Sequence, residues 1–158
     1  MTNISCTIER PPPGVSGQPA ETVWEIPDPH AEKVPLRVLV VDDEPLIRWS
    51  VTETLGDLGL AVEEAGDAAS ALRAISIAEL PFDVIVLDLH LPDMNDLSLL
   101  VTIRQRLPAA AVVLMTAFGS PEIVAEAVEL GICGVLSKPF ELGELSRMVL
   151  GAKGAATA

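Results

Sequence analysis

Leu36-Arg37-Val38-Leu39-Val40-Val41-Asp42-Asp43 is the stretch that decides the fold. Its first six residues form a short, largely β-branched run. Such runs mark strands buried on both faces, as in parallel sheets. The run then stops on two adjacent carboxylates.

The text on either side keeps the same rhythm. Residues Glu44–Leu58 carry Ile47, Val51, Leu55 and Leu58 at helical spacing, and Leu60–Glu64 reads as a second, weaker strand. Asp67 is placed to cap a helix bearing Ala68, Leu72 and Ile75. Phe82–Leu87 (FDVIVL) is a third strand, and a helix from about Asp96 shows Leu97, Leu100, Ile103 and Leu107. Ala110–Met115 (AAVVLM) is a fourth strand. Ser120-Pro121-Glu122 has the order of a helix start: a cap, a proline in the first turn, then an acid at the positive end of the dipole. That helix ends at Gly131. Cys133–Leu136 is a short fifth strand and Glu141–Leu150 a last helix.

Five alternations of strand and helix predict an α/β domain, a doubly wound parallel sheet with helices on both faces. About 120 residues suffice for an open five-stranded sheet and not for an eightfold barrel. Three segments follow: a Pro-rich N-terminal extension over residues 1–35, a regular domain over 36–151, and a short tail over 152–158. Seven of the 13 prolines lie in the first segment, where Trp24 is the one large hydrophobe. Proline removes donors and biases that segment to extended forms, so it is expected to be disordered or polyproline-like. Trp24 has two readings there, docked on the domain or undocked.

The chain of 158 residues is 49% hydrophobic but only 3% aromatic, so its core must come from Val, Leu, Ile and Ala. Formal net charge is −13. This acidity argues against direct nucleic-acid binding by the chain and against an anionic membrane, and suits a domain that binds cations or meets basic surfaces. Cys6 and Cys133 make no disulfide framework or zinc set, Cys133 having the position of a small buried core residue. No apolar run reaches membrane-spanning length and the N-terminus lacks a signal-peptide stretch, so the expected location is cytoplasmic.

In an open sheet the functional site lies beyond the carboxyl ends of the strands. There stand Asp42-Asp43 after strand 1, Asp88 after strand 3, Thr116 after strand 4, and Lys138-Pro139 after strand 5. One such Asp is as often a helix cap as a functional group. Three clustered carboxylates repel unless neutralised. The natural neutraliser is a hard cation with oxygen ligands, Mg²⁺, with Lys138 as a second positive charge able to reach a phosphoryl oxygen.

VLVVDDEP, VIVLDLHLPDM, VVLMTAFGS and GVLSKPF, in this order and spacing, resemble the receiver domain of bacterial two-component response regulators. The resemblance covers about residues 36–151. It implies strand order 2-1-3-4-5, the arrangement that a member of this family exemplifies among doubly wound sheets. It implies that Asp88 accepts a phosphoryl group from a sensor histidine kinase or histidine phosphotransfer protein. It further implies that Asp42, Asp43, Asp88 and the backbone carbonyl of His90 hold Mg²⁺. Thr116 and Lys138 would assist transfer, and the Lys138–Pro139 bond would be cis. The His90 side chain is expected to border the path of attacking water, and Phe118 to form a wall.

Three departures stand out. The family usually has Tyr or Phe at the position of Val135, and Gly at that of Asp96. Most relatives continue into an effector domain, whereas only Gly151–Ala158 follow the last helix expected here. Without a ring at position 135, signalling would lean on the loop after strand 4 and on the fourth helix, with Ile123 or Leu130 left at a binding surface. Trp49 lies off the apolar stripe of the first helix and is expected outward, as a kinase-docking anchor, a seat for the N-terminal segment or an unremarkable exposed ring.

The leading expectation is a single-domain regulator or phosphorelay element, not an enzyme in its own right, with an unidentified downstream protein partner. The first alternative is the receiver portion of a larger transcriptional activator of the nitrogen-regulation type, which the AFGS and KPF surroundings resemble. A phosphatase of the haloacid-dehalogenase type is the remote alternative. It would need a second Asp two residues after Asp88, where His90 stands.

Overall fold

The computed structural model describes residues 34–117 and 119–157, with side chains through Ala152. Of the expected Pro-rich extension only Val34 and Pro35 fall within this range; Cys6, Trp24 and Phe118 lie outside it.

Five strands and five helices alternate: β1 Arg37–Val41, α1 Pro45–Asp57, β2 Ala61–Ala65, α2 Ala68–Ile77, β3 Val84–Asp88, α3 Ser98–Arg106, β4 Ala111–Thr116, α4 Pro121–Glu129, β5 Gly134–Ser137 and α5 Leu142–Thr157. The sheet is parallel throughout, in the order β2-β1-β3-β4-β5. Its three central strands are buried almost end to end, which is why their sequences read as continuous apolar runs.

Strand alternation divides the core into two faces. Leu39, Val41, Ile85, Leu87, Val112 and Leu114 join one cluster with buried residues of α2, α3 and α4, such as Ala71, Leu100 and Ala127. Val38, Val40, Val84, Val86, Val113 and Met115 join the other with Val51 and Leu55 of α1 and Leu145 and Val149 of α5. All of the β1 and β3 residues named here are at most 3% exposed. Removing one of their larger side chains, as in Leu39→Ala, is expected to cost about 2–5 kcal/mol.

The helix ends follow local chemistry. Asp67 and Ser70 form a reciprocal capping box on α2. The Ser120 hydroxyl accepts from the Ile123 N–H at 3.3 Å to cap α4, and Gly131, at φ +87°, lets the chain leave that helix through the left-handed region. Asp96 stands where the family has Gly and accepts the Ser98 N–H at 2.8 Å, satisfying a donor at the start of α3. The Ser98 side chain and then its backbone N–H hold the Asp96 carboxyl below its ordinary value.

Three expectations need correction here. The last helix does not stop at Leu150 but runs to Thr157, so residues 152–157 continue α5 instead of forming a tail. Gly151 interrupts helix propensity by only about 1 kcal/mol, and the alanines around it favour the helix. Cys133 is exposed and not in the core, because β5 begins one residue later and leaves it in the turn before the strand. Finally, the exposed apolar face of α4 is carried more by Val128, at 57%, than by Ile123 and Leu130, which are half-buried against the α2–α4 side of the core, although Ile123 still lines a surface cleft with Asn95 and Val101.

Candidate functional site

The parallel register brings the carboxyl ends of β1, β3, β4 and β5 to one edge. Asp42 follows β1, Asp88 and Thr116 are the last residues of β3 and β4, and Lys138 follows β5. Asp42, Asp88 and Thr116 are buried, at 0%, 4% and 4% exposure. Asp43 and Glu44 are exposed.

Lys138 is the hub. Its Nζ donates to Asp42 Oδ2 at 2.8 Å, to Asp88 Oδ2 at 3.0 Å and to Glu44 Oε1 at 3.2 Å. An ammonium has three N–H donors, so these partners use all of them. The side chain is only 10% exposed. Burial alone would lower its pKa, but the bonds it donates to Asp42 and Asp88 outweigh that and hold it above the ordinary lysine value. The Lys138–Pro139 bond is cis, as the resemblance implies.

The other oxygen of each buried carboxylate is held by backbone. Asp42 Oδ1 accepts the Glu44 N–H at 2.9 Å, and Asp88 Oδ1 accepts the His90 N–H at 3.0 Å. Burial pushes the Asp88 carboxyl above its ordinary pKa, with the charge of Asp42 adding to the rise. The His90 N–H and Lys138 pull the other way without overcoming it. Asp88 therefore sits in a site that resists its negative charge unless cations are close.

Two supports fix the rim. Arg48 of α1 donates from Nη1 to the Asp42 carbonyl at 2.6 Å and from Nε to Glu64 at 3.0 Å. In the loop after β3, Asp93 accepts the Ala68 and Ala69 N–H groups at 2.8 and 3.0 Å. That ties the loop carrying His90 to the start of α2.

Asp43, Glu44, Asp88, His90, Ala117 and Lys138 line a cleft of about 420 Å³. Asp42, Asp43, Glu44 and Asp88 each offer a carboxylate oxygen within 4.8 Å of the others. An all-oxygen, anionic set of this kind suits a hard divalent cation such as Mg²⁺. Glu44 was not foreseen as a site residue, although it stands directly after Asp42-Asp43. Its place before Pro45 marks it as the start of α1, and it serves both roles. Arg48 and Asp93 give no sequence signal, since Arg48 folds back onto a carbonyl six residues earlier and Asp93 reaches backbone groups 25 and 24 residues away.

Thr116 joins this edge without lining the cleft. Its Oγ1 is buried and has no hydrogen-bond partner among the described residues. A Cβ on Gly119 would come within 3.2 Å of that oxygen and 3.0 Å of Cγ2, so the side chain lies close under the turn after β4. Val135, at the position where the family has an aromatic, is partly buried against the α2–α4 side of the core. Trp49 points outward at 58% exposure, and His90 is exposed at the cleft.

The family model for the response regulator receiver domain matches residues 38–150. The chain belongs to that family. Among its relatives is the response regulator protein PilR of Pseudomonas aeruginosa, 37% identical over 113 residues that make up 72% of this chain and 25% of that protein. The DNA-binding transcriptional regulator NtrC of Escherichia coli K12 is 35% identical over 112 residues, covering 71% and 24%. Solved structures agree. A CheY-like receiver domain protein from Methanospirillum hungatei superposes with a TM-score of 0.74 at 25% identity, covering 78% of this chain and 98% of that one. NtrX from Brucella abortus, solved with ADP, gives 0.70 at 31% identity, covering 78% and 28%. The receiver chain thus spans about a quarter of the length of PilR and NtrC.

These relatives correct the partner expectation. Beside a kinase or phosphotransfer protein and a protein target, it set aside direct nucleic-acid binding by this chain on the ground of its acidity. NtrC is named for binding DNA, and the segment shared with this chain is a minor part of it. The net charge of −13 belongs to the residues that carry it and is silent on the remaining length of such proteins. Acidity of a receiver therefore does not exclude nucleic acid from the system it serves. On membranes, no helix among the described residues is long and apolar enough to span one.

Asp43, one of the two exposed acids of the cluster, offers a direct test of the metal set. Asp43→Ala removes one of several like charges, so thermal stability without metal should be preserved or raised. Mg²⁺ binding to the same variant, followed by calorimetric titration, should be severely weakened.

Proposed function

We propose that this receiver takes a phosphoryl group from the phosphohistidine of a sensor histidine kinase or histidine phosphotransfer protein onto Asp88. The reading rests above all on one arrangement: the buried Asp88 carboxylate, held at 3.0 Å by Lys138, faces the acidic cleft together with Asp43 and Glu44.

In the proposed step a carboxylate oxygen of Asp88 forms a bond to phosphorus as the bond from phosphorus to the histidine nitrogen breaks. The nitrogen keeps that electron pair, and an acyl phosphate results. Asp42, Asp43 and Asp88, with the backbone carbonyl of His90, would hold Mg²⁺, which when bound offsets charge on the phosphoryl oxygens. Lys138 offsets the same charge from the β5 side. The Thr116 hydroxyl, without a partner among the described residues, can donate to a phosphoryl oxygen by turning toward Asp88, drawing the turn after β4 with it. Water later cleaves the acyl phosphate, so the chain acts as a self-catalysed acceptor and not as a turnover enzyme. We place this chemistry in the bacterial cytoplasm, where phosphohistidine donors of this kind operate.

For output, the matches to PilR and NtrC favour the receiver of a transcriptional activator over a free-standing relay element. On this reading phosphorylation of Asp88 governs activity at DNA exerted by the remainder of the regulator.

Incubation with acetyl phosphate and Mg²⁺, followed by intact mass measurement, should show one added phosphoryl group per chain. Chelation of the metal should abolish it. Absence of uptake from both acetyl phosphate and a phosphohistidine donor, with Mg²⁺ present, would overturn the proposal.

A further inference from the structure

We propose that Glu44 is a positioning residue that occupies one donor of Lys138 in the unphosphorylated state and yields that donor to the phosphoryl group. The inference rests on the assignment of Asp88 as acceptor and deepens it.

Lys138 has no donor to spare. Asp42, Asp88 and Glu44 take its three N–H groups at 2.8, 3.0 and 3.2 Å. A phosphoryl oxygen beside Asp88 can be met by Lys138 only if one of these bonds is given up. As the phosphoryl group arrives, before a bond to Asp88 has formed, Asp42 and Asp88 are still buried carboxylates, at 0% and 4% side-chain exposure, and leaving either without its cation strands a desolvated charge. The Glu44 side chain is 57% exposed and makes the longest of the three bonds. Water can replace Lys138 as its partner at little cost. Glu44 is thus the partner that leaves.

Its backbone makes this exchange local. The Glu44 N–H donates to Asp42 Oδ1 at 2.9 Å, and the Glu44 carbonyl accepts from the Arg48 N–H at 3.0 Å in the first turn of α1. The main chain is held at both groups, so only the side chain has to swing. The same carboxylate lies in the cluster of four acids. It therefore acts in two opposed ways: its charge favours a divalent cation, and its hold on Lys138 disfavours an incoming anion.

The opposition supplies the test. Glu44→Gln, Glu44→Asp and the unaltered chain are titrated with Mg²⁺ alone by calorimetry, then with beryllofluoride at saturating Mg²⁺ by ¹⁹F NMR. Glu44→Gln should bind Mg²⁺ more weakly and beryllofluoride more tightly, each by roughly two- to fivefold, the range expected of an exposed ion pair. Glu44→Asp keeps the charge but is one methylene shorter, so it should hold Mg²⁺ normally and still gain beryllofluoride affinity. A merely structural role would move both affinities in one direction. Beryllofluoride affinity unchanged in both variants would overturn the inference. A gain confined to Glu44→Gln would assign the effect to charge alone and overturn the exchange. Failure of the unaltered chain to bind beryllofluoride would instead count against Asp88 as the acceptor.

Discussion

Lys138→Met should lower the stability of the metal-free protein by about 3–5 kcal/mol, the cost of breaking a buried ion pair by removing one partner. Lys138 is the shared cation of Asp42 and Asp88, and all three side chains are at most 10% exposed. Without it two buried carboxylates face each other unneutralised. The pH dependence has a definite sign. In the unaltered protein the Lys138 pKa is raised on folding, so its contribution is complete below the ordinary lysine value and is lost only as pH rises through the raised one. In the variant, burial favours the protonated form of Asp88 and nothing opposes it from β5. Its stability should therefore rise as pH falls from neutrality toward the carboxylate range. Thermal denaturation at several pH values measures both effects. Added Mg²⁺ should recover much of the loss. A melting temperature equal to that of the unaltered protein, at neutral pH without metal, would contradict the hub role of Lys138.

The second large effect is chemical. Asp88→Asn should abolish phosphoryl uptake from acetyl phosphate altogether, because an amide oxygen is too weak a nucleophile to form the acyl phosphate. The fold should survive. Asn keeps the shape, its oxygen can still accept the His90 N–H or a Lys138 donor, and Lys138 retains Asp42 at 2.8 Å. Removing one of two buried like charges also relieves repulsion. Intact mass and thermal denaturation of the same sample separate loss of chemistry from loss of structure. Undiminished labelling of a folded Asp88→Asn protein would sink the assignment.

Most of the architecture was legible because the signals were local and redundant. VLVV, VIVL and VVLM each declare a strand buried on both faces, and each is followed by a residue of the site. The caps at Asp67 and Ser120 could be named from residue type and spacing alone. What escaped depended on side chains reaching backbone groups, near or far in the chain, that residue spacing does not mark. Arg48 braces Asp42 through a carbonyl, and Asp93 caps α2 from 25 residues away. Neither bond leaves a trace in local pattern. Glu44 was hidden by its second role at the start of α1. Cys133 was misplaced because a shift of one residue in the start of β5 separates a buried position from an exposed one. The helix runs beyond Leu150 because Gly151 costs only about 1 kcal/mol in a helix and alanines follow it, whereas the apolar spacing that marks a packed helix fades there. The excluded DNA partner was an error of scope: charge describes the segment that carries it.

The central claim is that one carboxylate, at the end of β3, receives the phosphoryl group. Reductive trapping reads this out by position. An aspartyl phosphate treated with borohydride is converted to homoserine, which tandem mass spectrometry locates in the chain. After incubation with acetyl phosphate and Mg²⁺, homoserine should be found at residue 88, and be absent when the metal is chelated. Homoserine at residue 42 or 43, or a borohydride-resistant phosphate elsewhere with residue 88 unchanged, would contradict the account.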